Sequence, residues 1–85
     1  MKADFHRKFK KKLRKLPISI QDKFYERLRM FYGDPFSASL NNHSVDRVYP
    51  GCRSINVTGD YRAIFSEAGD SVLFVNIGTH AELYG

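Results

Sequence analysis

The sequence has one cysteine, no long apolar segment and no apolar leader at its charged start. Cys52 alone cannot form an internal disulfide or a cysteine-based zinc site, and we interpret it as a buried thiol in a reducing compartment. No apolar run reaches the length of a membrane span, and the start lacks the apolar core of a signal peptide. These absences predict a cytoplasmic protein with no membrane partner.

Common catalytic motifs are also missing. The histidines His6, His43 and His80 have no neighbours at metal-ligand spacing, so we expect no metal site. The glycines are scattered and form no phosphate loop, and no serine stands in a nucleophile elbow. We therefore expect no small-molecule cofactor and exclude most enzymes that use a metal, a nucleotide cofactor or an acyl intermediate.

The 85 residues are too few for two cores, so we expect one domain over residues 1–85, and the apolar content of 42% suffices for a packed core.

Positive charge is concentrated in the first part of the chain. Residues 1–32 hold 11 Lys and Arg against 3 Asp and Glu, whereas residues 33–85 hold 3 against 6. A one-sided positive field attracts a polyanion; the alternative is an ordinary solvated helix face.

The apolar spacing over the basic segment predicts two helices. The first repeat consists of Phe5, Phe9, Leu13 and Leu16, and the second of Ile20, Phe24, Leu28 and Phe31. Pro17 ends the first helix, Ser19 is the predicted N-cap of the second, and Gly33 with Pro35 ends it. A link this short predicts an antiparallel helical hairpin, although residues 2–5 are also compatible with a short leading strand.

The second part of the chain has the pattern of strands. Residues 52–58, 61–67 and 71–77 predict three strands joined by hairpin turns, and Asp46–Tyr49 is a candidate edge strand. The predicted fold is α+β: a helical hairpin packed on one face of a small antiparallel β-sheet. One sheet face should bury Ile55, Val57 or their neighbours against the helices, which leaves the other face for water or a partner.

The predicted hairpins would gather several polar and aromatic residues. These are Arg53, Asp60, Tyr61, Arg62, His80 and Tyr84. Such a set suits cleavage of RNA by its own 2′-hydroxyl, which needs a base, an acid, cations for the phosphorane and rings that stack on a base, but no metal. Each residue also has a structural interpretation, such as turn chemistry for Asp60 or anchoring of the chain end by Tyr84. From the residues alone, the sequence predicts a small basic α+β domain that binds a polyanion.

Three segments together resemble a family of bacterial toxins. They are LPISIQDKFYERLRMFYGDPF, CRSINVTGDYRAIF and IGTHAELYG, and they resemble the RelE/ParE superfamily, in particular its YafQ-like, RelE-type branch. The resemblance covers essentially the whole chain. It implies a helical hairpin on one sheet face, an active surface on the other, and an mRNA interferase that works in the ribosomal A site. It also implies a cognate antitoxin that holds the toxin inactive.

The resemblance assigns roles to individual residues. The family's terminal catalytic histidine falls on His80, the aromatic after it on Tyr84, its turn carboxylate on Asp60, its earlier histidine on His43 and its strand arginine on Arg53. His80 would be the general acid, and Asp60, or as second choice His43, the base. The remaining roles are phosphate stabilisation by Arg53 and Arg62, stacking by Tyr84 with Tyr61, and contacts to ribosomal RNA by Lys8, Lys11, Lys12 and Lys15.

The chain departs from the family pattern at two positions. Asn56 replaces a second strand histidine and cannot act as acid or base, because an amide exchanges no proton near neutral pH. Arg47 stands where the family often has glycine. Two alternatives therefore stay open: a gyrase-inhibiting toxin of the ParE branch, which His80 disfavours, and an RNA- or antitoxin-binding relative without activity.

Overall fold

A computed structural model of the protein describes all 85 residues. In chain order its elements are β1 (Lys2–Phe5), α1 (Arg7–Arg14), α2 (Ile18–Gly33), a 3₁₀ turn (Ala38–Leu40), β2 (His43–Ser44), β3 (Cys52–Asn56), β4 (Tyr61–Ala68), β5 (Ser71–Thr79) and α3 (His80–Tyr84). The predicted α+β class and the two helices of the basic segment are confirmed, and of the two alternatives left open for residues 2–5 the structure has the strand. None of the helices is long and apolar enough to cross a membrane.

The five strands form one sheet in the order β1-β5-β4-β3-β2. The meander β3-β4-β5 is antiparallel, as predicted, but β1 runs parallel to β5, so the sheet is mixed. The helices α1 and α2 lie in the connection between β1 and the meander, which gives the chain the length a parallel pairing needs. The predicted edge strand at Asp46–Tyr49 is wrong, because the amides of Val48 and Tyr49 bond to the carbonyl of Val45 and form a turn.

The helix ends differ in part from the prediction. Helix α1 begins after His6, whose Nδ1 accepts the Lys8 amide at 3.1 Å, so Phe5 belongs to β1. Ser19 is not the N-cap of α2, because the carbonyl of Pro17 already accepts from the amides of Ile20 and Gln21 and starts the helix two residues earlier. The predicted end of α2 at Gly33 is confirmed.

The main core lies between the two long helices and one face of the sheet. Phe74 of β5 stands at its centre, with five other phenylalanine rings 5.4–6.0 Å from its own ring centroid. Such aromatic clusters supply much of the buried apolar area in a small protein. Ile55 and Val57 are fully buried in this core, as the sequence predicted.

The opposite sheet face, here called the distal face, carries a second and smaller cluster. Val45, Ile64 and Leu83 are buried in it, and Tyr49 and Tyr84 are among the residues packed against it. Part of the distal face is therefore covered by α3 and by the turn after β2, rather than left open.

A bulge in β5 changes which residues reach the distal face. Phe74 pairs with Phe65 and Asn76 pairs with Ile64, so Val75 has no partner across the ladder. Val75 packs against the distal cluster, and Asn76 bonds to Tyr49 of the same cluster. Two consecutive residues thus face the same side, which simple alternation along a strand does not produce.

Candidate active site

Helix α3 places His80 directly after the last strand. Thr79 is its N-cap: the Thr79 hydroxyl accepts the Glu82 amide at 3.2 Å, and the Glu82 carboxylate accepts the Thr79 amide at 2.8 Å. These bonds form a capping box, and they hold the pKa of Glu82 below its ordinary value. The His80 amide also donates to the Asp60 carbonyl at 3.0 Å. The backbone of His80 is therefore tied both to β5 and to the β3–β4 turn.

Tyr49 holds the other end of this short helix. Its hydroxyl donates to the Leu83 carbonyl at 2.9 Å, and its ring centroid lies 6.2 Å from that of Tyr84. Leu83 itself is buried in the distal cluster. The predicted tail after the last strand is thus an anchored helical turn, which fixes the direction of the side chains on it.

An open pocket of about 340 Å³ lies beside α3 on the distal face. Its lining residues are Asn41, His43, Val45, Arg62, His80 and Tyr84. They come from the segment around β2, from β4 and from α3, which are far apart in the sequence. Four of the residues singled out from the sequence therefore meet in one place.

His80 and Tyr84 form one wall of the pocket. Four residues apart, they share one side of α3, and their ring centroids are 4.8 Å apart with the planes tilted by 51°. His80 is exposed, whereas Tyr84 is half-buried and its hydroxyl is buried without a hydrogen-bond partner. Tyr84 therefore offers the pocket its ring rather than its hydroxyl.

His43 faces them from β2. Its Nδ1 lies 2.7 Å from the carbonyl oxygen of Asn41. A carbonyl can only accept, so Nδ1 carries the hydrogen and the neutral ring keeps its free lone pair on Nε2. This tautomer suits a proton acceptor.

Arg62 brings a positive charge to the pocket. Its Nη1 donates to the carbonyls of Thr58, Gly59 and Tyr61 at 2.9, 2.9 and 3.2 Å, so the β3–β4 turn fixes the guanidinium. No carboxylate forms an ion pair with it, since the two ion pairs of the chain join Lys2 to Asp4 and Lys23 to Glu26. An anion in the pocket would meet an uncompensated cation.

Arg53 does not reach this pocket, contrary to the predicted grouping. It pairs with Phe65 of the main core and so lies on the sheet face that carries the long helices. Its Nε donates to Asn42 Oδ1 at 2.8 Å, and its guanidinium stands 5.5 Å from the ring centroid of Phe36. These contacts give Arg53 a structural role at the β3 edge.

Asp60 and Tyr61 are also outside the pocket lining. The Asp60 side chain is exposed at the β3–β4 turn, and only its backbone carbonyl contacts His80. Tyr61 packs against the main core, as its pairing with Thr79 on that face requires. Both residues lie near His80 in space, as the predicted hairpins required, but the alternation of β4 turns the Tyr61 ring to the other sheet face.

The four lysines predicted to contact RNA divide into two groups. Lys8, Lys11 and Lys15 are exposed, as predicted for an outer basic face. Lys12 is half-buried, and its Nζ donates to Asn76 Oδ1 at 3.1 Å, so its predicted place on the outer face is wrong.

Sequence reasoning missed Asn41, Val45 and Asn76 as neighbours of the site. Asn76 had a visible signal, since it is the polar residue that interrupts the apolar run of β5. Asn56 also lies on the distal face, paired with Arg62, and its buried Oδ1 has no hydrogen-bond partner.

The site therefore combines two imidazoles, one fixed guanidinium and one aromatic ring. A nucleic acid provides the matching groups, because its phosphates bind cations and its unstacked bases stack on rings. No group of three or more His, Cys, Asp and Glu side chains lies close enough together to hold a metal ion.

The thiol of Cys52, packed against the distal cluster, has its pKa raised by burial and by the Asp46 carboxylate.

Comparison with known families identifies the class of protein. Residues 3–84 match the family described as the ParE toxin of the type II toxin-antitoxin system, parDE. The chain belongs to this family and is a toxin of the RelE/ParE superfamily. No curated protein sequence matches it at a significant level.

Solved structures share the whole fold at low sequence identity. YafQ from E. coli strain BL21(DE3) has a TM-score of 0.75 and 20% identity, over 98% of this chain and 97% of that one. A YoeB/ParE toxin from Agrobacterium tumefaciens has a TM-score of 0.74 and 14% identity, over 94% and 99%. In the RelB-RelE antitoxin-toxin complex from Methanococcus jannaschii the values are 0.74 and 18%, over 95% and 94%. The predicted RelE/ParE-like architecture is confirmed.

Proposed function

We propose that this toxin is a ribosome-dependent mRNA endoribonuclease that inhibits translation. The observation that carries the proposal is the meeting of His43, Arg62, His80 and Tyr84 in one pocket on the distal face. This set supplies an acid, a base, a cation and a stacking ring, which are the groups that 2′-hydroxyl attack on RNA requires. The exposed basic face of α1 would hold ribosomal RNA through phosphate contacts.

In the proposed reaction the two histidines share the proton transfers. The 2′-oxygen bonds to phosphorus as Nε2 of His43 takes its proton, and the bond from phosphorus to the 5′-oxygen breaks. The imidazolium of His80 gives its proton to that leaving oxygen, so a 2′,3′-cyclic phosphate and a 5′-hydroxyl result. Arg62 stabilises the additional negative charge, and Tyr84 stacks on a neighbouring base.

The geometry favours His43 over Asp60 as the base. The lining of the pocket includes His43, and its tautomer leaves Nε2 free, whereas the Asp60 carboxylate is exposed at the turn. Asp60 then acts on the site through its backbone carbonyl, which accepts the His80 amide. This reverses the order of preference that the sequence suggested.

Mapping of RNA ends tests the proposal directly. After induced expression in a bacterial host, new 5′-hydroxyl ends should appear within translated regions of mRNA and should disappear when ribosomes are kept off the message. Intact mRNA during growth arrest would contradict it.

A second candidate function is inhibition of DNA gyrase, which the match to the ParE family favours. The same fold would then act without nuclease chemistry. Growth arrest with DNA damage and intact mRNA would support this candidate. A third candidate, a relative that binds RNA or antitoxin without cleaving RNA, is suggested by Asn56 and would cause neither effect.

A cognate antitoxin is the proposed protein partner. The RelB-RelE structure, to which this chain is similar, is an antitoxin-toxin complex. Expression of this chain alone should arrest growth, and expression of its antitoxin with it should restore growth. Normal growth at a high soluble yield, with no partner supplied, would count against a toxin active in the cytoplasm.

A further inference from the structure

Lys12 is the one lysine of α1 that is turned toward the sheet. Its neighbours Lys8, Lys10, Lys11 and Lys15 are exposed, but Lys12 is half-buried. Strand β1 ends at Phe5, opposite Phe74, so the edge of β5 beyond Phe74 has no neighbouring strand. The side chain of Lys12 passes this edge and reaches Asn76, whose amide Nδ2 donates to Tyr49 on the distal face.

Gly78 provides the space into which the Lys12 ammonium fits. A Cβ atom on Gly78 would lie only 3.1 Å from Lys12 Nζ. Gly78 pairs with Arg62, and directly opposed residues of an antiparallel pair project to the same face at close range. The ammonium therefore lies on the distal face, in the place of a missing side chain, next to the strand position that carries Arg62.

A chain of hydrogen bonds fixes this ammonium relative to α3. Asn76 Oδ1 accepts from Lys12 Nζ at 3.1 Å, Asn76 Nδ2 donates to the Tyr49 hydroxyl at 3.4 Å, and Tyr49 donates to the Leu83 carbonyl at 2.9 Å. The bulge at Val75 turns Asn76 toward this chain. These bonds thus fix the position of the Lys12 ammonium relative to α3, the helix that carries His80.

The Glu82 carboxylate lies near this ammonium. Its Oε1 lies 3.1 Å from the Cβ position of Gly78, but it accepts the Thr79 amide in the capping box and makes no ion pair with Lys12. The positive charge of Lys12 is weakened by this neighbour but not cancelled by direct contact. It stays available to an anion.

We propose that Lys12, which is not itself a lining residue of the pocket, is a second phosphate-binding cation for it, brought from α1 around the edge of β5 to the position of Gly78, the strand partner of Arg62. This inference rests on the proposed endoribonuclease function. The family resemblance assigned phosphate stabilisation to Arg53 together with Arg62, but Arg53 lies on the other sheet face. In this proposal Lys12 takes the role of Arg53. Two cations on one scissile phosphate stabilise the charge that develops during attack better than one.

Substitution of two lysines tests the proposal with a control. Lys12→Gln keeps a polar side chain but removes the charge, whereas Lys23→Gln removes an equal charge from α2, which packs on the other sheet face. At saturating ribosome concentration, Lys12→Gln should lower the rate of mRNA cleavage by about 10²–10³-fold, as loss of one charge-stabilising donor does. Lys23→Gln should stay within about threefold of the wild type, since its charge lies outside the pocket and is paired only with Glu26 at the surface.

Two further variants separate charge from folding. Lys12→Arg restores a cation and should recover most of the activity, which loss of a purely structural contact by Lys12→Gln does not predict. Gly78→Ala keeps the lysine but forces its ammonium or the Glu82 carboxylate to move by a few tenths of an ångström. It should lower cleavage while thermal unfolding still shows a folded protein.

The possible results distinguish this inference from the function on which it rests. If the wild type cleaves ribosome-bound mRNA and Lys12→Gln cleaves as fast as Lys23→Gln, the inference is wrong and the proposed function stands. If Lys12→Gln and Lys12→Arg are equally impaired and both are destabilised, Lys12 is only a structural tie between α1 and β5. If the wild type itself cleaves no mRNA on ribosomes, the proposed function falls and this inference falls with it.

Discussion

Arg53 and Arg62 lie on opposite faces of the β3–β4 hairpin. Arg53 pairs with Phe65 and stands over the ring of Phe36 on the side of the main core, whereas Arg62 pairs with Asn56 and lines the pocket. The register of the hairpin decides this, because a shift by one residue would exchange the two faces. Only one of the two arginines is therefore placed to meet an anion in the pocket.

Separate substitution of the two arginines should give opposite phenotypes. Arg62→Ala should lower mRNA cleavage on ribosomes by about 10²–10³-fold, because it removes the fixed cation of the pocket. Arg53→Ala should leave cleavage within a few-fold but reduce the free energy of unfolding by about 1–2 kcal/mol, because it loses the bond to Asn42 and the contact with Phe36. Cleavage assays and urea unfolding of both variants measure the difference; equal loss of cleavage would contradict the assignment.

His80 should be needed for cleavage but not for folding. General acids contribute about 10²–10⁴-fold in rate, so His80→Ala should lose that factor while ribosome association persists. His80→Gln should be nearly as inactive, since an amide delivers no proton. His6→Asn is the matched control, because it replaces another exposed histidine and keeps an acceptor at the N-cap of α1. Cleavage by His80→Ala at the wild-type rate would show that another group is the acid.

The stability of α3 should depend on pH through Glu82. Its pKa is held below the ordinary value of 4.5 by the Thr79 hydrogen bonds, so the carboxylate favours the folded state above that pH. This contribution should be fully present at pH 7 and should be lost as the pH falls below 4.5 through the lower folded pKa. The difference in melting temperature between the wild type and Glu82→Ala should therefore be larger at pH 7 than at pH 3. A difference that grows toward low pH would contradict the capping-box interpretation.

The sequence predicted the class of fold and the helix-facing core because those depend on periodicity. Phe9, Phe24 and Ile55 follow the spacing of one helix face or one strand face, and all are buried in the main core. The parallel pairing of β1 could not be predicted from the sequence. Lys2–Phe5 is too short to show a period, and its partner strand β5 lies at the far end of the chain.

The details of the site depend on features that no local pattern contains. The grouping of Arg53 with Arg62 failed because it needed the hairpin register, and Asn76 was missed as a distal-face residue because a bulge breaks the alternation of β5. Lys12 looked like its exposed neighbours, because the gap beside Gly78 that admits it exists only after the sheet has formed. His80 and Tyr84 were predicted together because they share one short segment.

The Tyr84 hydroxyl should be dispensable, in contrast to its ring. The hydroxyl is buried without a partner, and an unsatisfied buried polar group costs free energy, so Tyr84→Phe should be neutral or more stable by up to about 1 kcal/mol. Cleavage should be unchanged, because stacking on a base uses the ring. Tyr84→Ala should lose both packing against Tyr49 and stacking, which is worth about 1–3 kcal/mol per base. Urea unfolding and cleavage assays test both variants, and inactivity of Tyr84→Phe would show that the hydroxyl takes part.

The exposed lysines of α1 should govern ribosome binding without affecting the chemistry. Lys8, Lys11 and Lys15 lie on the outer face of α1 and its C-terminal end, and each that meets a phosphate releases counterions on binding. The triple change of these lysines to Gln should weaken ribosome association and reduce the slope of log affinity against log salt by roughly 2 to 3. Exposed charges contribute little to stability, so thermal unfolding should be nearly unchanged. Lys23→Gln, which removes a lysine paired with Glu26 on α2, serves as the comparison. An unaltered affinity and salt slope in the triple variant would mean that this face is only solvated and that ribosome contact lies elsewhere.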